Sequence, residues 1–87
     1  MKPLNDRDYE VIGGIVNALY DSAIPLSTIE IWYAVQGYCR PSYGEVRRLL
    51  RSGAIDGIAV KTQLGGYGRR DYYLTQEHRD ELKADGF

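Results

Sequence analysis

Two helix-start signatures stand fifteen residues apart in the middle of this chain, at Ser27-Thr28-Ile29-Glu30 and Ser42-Tyr43-Gly44-Glu45. In each, a serine at the N-cap precedes a glutamate at the third helical position. Hydroxyl and carboxylate can then satisfy each other's orphan backbone N–H groups. An apolar residue precedes each cap (Leu26, Pro41) and another follows at the fourth helical position (Ile31, Val46), the pattern of a hydrophobic staple. Only Gly37-Tyr38-Cys39-Arg40 separates the two helical stretches. The middle of the chain is thereby constrained to two short helices joined by a tight turn.

The second helix of this pair, over residues 43–52, divides by face. At about 100° per residue, Val46, Leu49 and Leu50 cluster on one side and Gly44, Arg47, Arg48 and Arg51 on the other. The apolar stripe must face a core, so the arginines must face outward. The first helix, over residues 28–36 and stopping at Gly37, is apolar almost all round, through Ile29, Ile31, Trp32, Tyr33, Ala34 and Val35. Such a helix is either deeply buried or shared with another chain. Trp32 is expected in the core.

An opening helix is expected over residues 6–20, capped by Asn5 or Asp6, with Ile12, Ile15, Val16 and Leu19 on one stripe. Gly13-Gly14 weakens it by about 1 kcal/mol per glycine relative to alanine, a cost that close approach of a neighbouring helix would explain. Ala23-Ile24-Pro25-Leu26 reads as an extended linker able to supply a short first strand. Gly53 ends the arginine helix. Residues 55–62 then have strand content, with Ile58, Val60 and Thr62 on one face. The glycine-rich basic loop Leu64-Gly65-Gly66-Tyr67-Gly68-Arg69-Arg70 permits a tight reversal into a return strand over residues 71–75, with Tyr72 and Leu74 sharing a face. Thr75 caps a last helix over residues 76–84.

A chain of 87 residues makes one domain of α+β class that buries about 60–65% of its unfolded surface. No stretch approaches a membrane span and the N-terminus does not read as a signal peptide. The single cysteine, Cys39, suits a reducing compartment, so the expected location is cytoplasmic. The net charge of −1 conceals an asymmetry. Formal charge is −3 over residues 1–36, +4 over residues 37–72 and −2 over residues 73–87. The positive segment holds Arg40, Arg47, Arg48, Arg51, Lys61, Arg69 and Arg70, where the arginine helix and the hairpin fall. Such a distribution favours an oriented anionic partner, although a merely solvated face is the plainer reading of any charge run.

Two stretches carry a resemblance: Val46-Arg47-Arg48-Leu49-Leu50-Arg51-Ser52-Gly53-Ala54-Ile55 and Tyr73-Leu74-Thr75-Gln76-Glu77. The first resembles a recognition helix running into a strand, the second a strand end that opens the following helix. Together they make residues 6–84 similar to the winged helix-turn-helix domain of MarR- and PadR-type regulators. His78 departs from that pattern, standing where many relatives have glycine. The resemblance implies a three-helix core with a helix-turn-helix over about 27–52, a β-hairpin wing over about 55–75 and a C-terminal helix. It implies further that residues 43–52 enter the DNA major groove. Arg47 and Arg51 would then face base edges or phosphates, with Arg48 flanking, Tyr43 near the helix start and Arg40 in the preceding turn. Ser42 and the first-turn N–H groups would hold a phosphate. Lys61, Arg69 and Arg70 would reach adjacent backbone or minor groove, and Tyr67 would stack on sugar or bond a phosphate. Arginines on such helices contact phosphates more often than bases.

Enzymatic chemistry is not expected. His78 and Cys39 are the only residues of their kinds and belong to different elements, so neither a metal cluster nor a convergent acid, base and nucleophile is apparent, and no cofactor is implied. The glycine loop lacks the Gly-Lys-Ser/Thr of a P-loop. The leading expectation is a small sequence-specific regulator of double-stranded DNA acting as a homodimer, through the first helix, the apolar second helix or the acidic last one. A second reading is a protein-interaction module gripping an acidic protein partner, since eight tyrosines supply rigid contact area. A third, single-stranded or RNA binding through Tyr67, Tyr72 and Tyr73, is opposed by the shared face of Tyr72 and Leu74, which places Tyr72 in the core.

Overall fold

A computed structural model of the protein describes residues 3–52, 60–64 and 70–86, with the backbone alone described over 60–64. The element order is α1 (Asp6–Asp21), β1 (Leu26–Ser27), α2 (Thr28–Val35), α3 (Tyr43–Arg51), β2 (Val60–Leu64), β3 (Arg70–Leu74) and α4 (Gln76–Ala84). The described residues form a small α+β domain of four helices and an antiparallel hairpin. β1 adds to the hairpin, giving a three-stranded sheet of order β1-β3-β2.

Local chemistry fixes the helix starts. Asn5, Ser27 and Ser42 each close a capping box, with Asp8, Glu30 and Glu45 respectively. Thr75 caps α4 through the His78 amide at 3.2 Å. His78 therefore enters an ordinary helix first turn, its Nδ1 3.5 Å from Glu81. In the sheet, Leu26 pairs with Tyr72 and Ser27 with Asp71, so the linker after α1 does supply a first strand. β2 reaches Leu64, two residues past the expected end, with Val60 opposite Leu74 and Thr62 opposite Tyr72. The expected strand start at 55–59, Gly53 and the loop 65–69 lie outside the described residues.

The core gathers the expected stripe of α1 and adds Val11; Ile31 and Val35 come from α2, Val46, Leu49 and Leu50 from α3, Tyr72 and Leu74 from β3. α2 differs from the expectation of deep burial. Its outer face stays open, with Ile29 50% and Tyr33 65% exposed, because an eight-residue helix packed along one stripe covers only that stripe. Trp32 packs partly buried at the edge of the core.

The two glycines of α1 do different work. A Cβ on Gly14 would stand 2.9 Å from Tyr38 Cδ1, 3.4 Å from Cys39 Sγ and 3.5 Å from Val35 Cγ1, so the end of α2 and its turn close on the helix there. A Cβ on Gly13 would meet only the Tyr38 hydroxyl, at 3.9 Å. Gly13→Ala should accordingly stabilise by about 0.5–1 kcal/mol through helix propensity. Gly14→Val should destabilise by about 1–3 kcal/mol through overpacking. Urea unfolding of the two variants checks the opposite signs.

The turn after α2 places its left-handed residue away from its glycine. Gly37 does not take the left-handed conformation; that role falls to Arg40, at φ 50°. A left-handed non-glycine residue costs about 1–2 kcal/mol. Arg40→Gly should therefore raise stability by about 0.5–1 kcal/mol, net of glycine's greater unfolded-state freedom. A melting temperature raised by about 2–8 °C is the expected result.

Candidate nucleic-acid interface

α3 is held by groups that leave one of its faces free. The Pro41 carbonyl, just before the α3 cap, accepts from Trp32 Nε1 at 3.0 Å and Gln36 Nε2 at 2.9 Å, both on or beside α2. The Arg7 guanidinium of α1 donates to the Cys39 carbonyl at 2.9 Å and to Glu45 at 3.3 Å, so one side chain joins α1, the turn and the first turn of α3. Arg48 reaches back to the Asp8 carboxylate at 2.7 Å. With Val46, Leu49 and Leu50 buried below, the row Tyr43, Arg47, Arg51 at spacings of four faces outward.

Arg48 thus stands apart from the other arginines expected to meet nucleic acid. Its partner Asp8 is 5% exposed and also accepts from the Asn5 amide, at 3.3 Å. The hydrogen bond from Arg48 holds the Asp8 carboxyl below its ordinary value of 3.8, against the opposing effect of burial. A lowered folded-state pKa contributes stability that is present above the unfolded value and is lost as pH falls through the folded one. The protein should therefore lose stability below about pH 4, and Arg48→Met should flatten that acid limb in urea unfolding measured across pH 2 to 5.

The remaining expected residues fall as follows. Ser42 spends its hydroxyl oxygen on the Glu45 amide at 3.1 Å and its own amide on the Glu45 carboxylate at 3.2 Å, so only the hydroxyl proton is left for a phosphate. Tyr43 is 42% exposed and meets Trp32 edge-on, ring centroids 6.0 Å apart. Arg40 is exposed in the turn. Among the described residues, no hydrogen bond or ion pair engages Arg47, Arg51 or Arg70. Arg51 and Arg70 line one cavity of about 270 Å³ together with Ser27, Thr28, Ile29, Tyr43 and Tyr72. Lys61 lies on β2 opposite Tyr73. Tyr67 and Arg69 lie outside the described residues. Tyr72 is 1% exposed, in the core as its shared face with Leu74 requires.

A larger cavity, about 400 Å³, opens between Ser22, Ile24, Pro25, Tyr73 and Arg79. Its arginine is committed to backbone carbonyls of Leu19, Tyr20 and Ser22. Burial pushes the Cys39 thiol up from its ordinary value. Among the described residues no group of three or more His, Cys, Asp or Glu is placed to hold a metal, and no helix is long and apolar enough to cross a membrane.

Arg7 and Arg79 are the structural cations that sequence reading missed. Arg7 also pairs with Glu10, three residues on, at 3.1 Å, but the partners that tie these two cations across the fold lie 32–38 and 57–60 residues away and carry no local signal. Compared with known proteins, the chain matches no family model, no curated protein and no solved structure.

Proposed function

We propose that this protein is a sequence-specific double-stranded DNA-binding regulator of winged helix-turn-helix type, working as a homodimer. α3 lies in the major groove and the hairpin reaches the neighbouring backbone or minor groove. The observation that carries this reading is the division of α3: three buried apolar residues beneath, and above them an outward row of Tyr43, Arg47 and Arg51 that pairs with no carboxylate among the described residues. Arg70, from a different element, adds its charge to the same face. Outward guanidinium forks suit both guanine edges and phosphates. A single helix reads a short half-site, and two-fold pairing doubles it.

Fluorescence anisotropy of a labelled random duplex tests the reading. Contact with four to six phosphates gives a log–log salt slope of about −4 to −5. Absence of binding at low salt would overturn it. One observation favours the second reading, a protein-interaction module: Ile29 and Tyr33 leave an apolar strip open along α2. An acidic protein anchored on that strip would bind with much weaker salt dependence.

A further inference from the structure

We infer that Arg51 and Arg70 grip one and the same backbone phosphate in the cavity between α2, α3 and β3, an inference that rests on the DNA-binding reading. Arg51 ends α3 and Arg70 begins β3, nineteen residues apart in the chain, yet both line a single cavity of about 270 Å³. Among the described residues its lining contains no carboxylate. Of the acidic residues beside it in sequence, Glu30 accepts from the Ser27 amide at 2.9 Å and Asp71 is buried at 7% exposure.

Two like charges at one cavity repel, and an anion seated between them turns that repulsion into two attractions. The volume is several times the roughly 30 Å³ share of a water molecule, enough for a phosphodiester group. The hydroxyls of Thr28 and Tyr43 supply neutral donors at the wall. Ile29, 50% exposed, and the Tyr43 ring, 42% exposed, form an apolar rim suited to the deoxyribose. Planar guanidinium forks take phosphate oxygens bidentately, so two of them can saturate one phosphate.

The consequence is a division of labour along one helix face. Arg51 belongs to the backbone, and Arg47, one turn earlier, is left to read bases. Sequence alone gives both arginines the same description.

The test is duplex binding against KCl concentration for wild type, Arg51→Met, Arg70→Met, the double variant and Arg47→Met, each first shown to be folded by circular dichroism. Methionine keeps most of the stem and removes the charge. Each single variant of the pair should lose about 10-fold in affinity on every duplex sequence. The double variant should lose less than the product of the singles, with its salt slope reduced by about 0.9 in all, the value for one phosphate. Arg47→Met should instead alter the ranking among duplex sequences. Multiplying losses with a slope reduced by about 1.8 would mean two separate phosphates and overturn the inference. Unchanged slopes with intact duplex binding would overturn it as well.

Should wild type bind no duplex, the DNA reading fails, and titration with inorganic phosphate decides the cavity separately. Saturable amide shifts at Thr28 and Ile29 that vanish in the double variant uphold a phosphate site. No saturable shift, or equal saturation by acetate as expected of a pocket for acidic protein side chains, removes it.

Discussion

Arg79→Met should lower the melting temperature by about 10–20 °C, corresponding to about 2–3 kcal/mol. α1 ends without a basic residue in its last turn, so its terminal carbonyls lack the usual local cation. Arg79 supplies one from α4. Its guanidinium donates to the carbonyls of Tyr20 at 2.7 Å, Leu19 at 2.7 Å and Ser22 at 2.8 Å, and lies 5.9 Å from the centre of the Tyr20 ring. α4 has no fully buried residue and contributes Leu82 to the edge of the core, so Arg79 carries a large share of the helix's attachment to the domain. Arg79→Lys should recover only part of the loss, because an ammonium cannot match three carbonyls with a planar fork. Thermal and urea unfolding of both variants measure the effect; a loss below about 0.5 kcal/mol would mean that α4 docks by other means.

The parts of the fold that were legible in the sequence are those written in local chemistry. Ser27 with Glu30 and Ser42 with Glu45 specify helix starts because cap and partner lie three residues apart, and both boxes form. The outward turn of Arg47 and Arg51 follows from the positions of Val46, Leu49 and Leu50 alone. Arg48 shows the limit of that reasoning. Periodicity places it on the exposed side, where its side chain remains 54% exposed, but not on Asp8, forty residues earlier. The long-range partners of Arg7 and Arg79 were illegible for the same reason: they are set by tertiary packing, and no spacing rule encodes them. The turn carries no sequence signal for its left-handed residue. Gly37 is the residue best able to adopt positive φ, yet the left-handed position falls on Arg40. At the candidate interface, the outward arginines were legible, whereas the convergence of Arg51 and Arg70 on one cavity depends on where tertiary packing sets the start of β3 relative to the end of α3.

The second large effect is on binding. Arg47→Glu/Arg51→Glu should reduce affinity for duplex DNA by about 100-fold or more, since each arginine contact is worth about 1–3 kcal/mol and each reversal adds repulsion from phosphates. The fold should survive, because both positions are exposed and the α3 core residues, its cap and the Arg48–Asp8 pair are untouched.

Anisotropy of one labelled random duplex, titrated side by side with wild type and this variant at low and near-physiological salt, tests the central claim most directly. The account predicts salt-sensitive binding by wild type, and its loss in a variant whose circular dichroism is unchanged. Equal binding by the two proteins would contradict it, for α3 would then not be the surface that meets DNA.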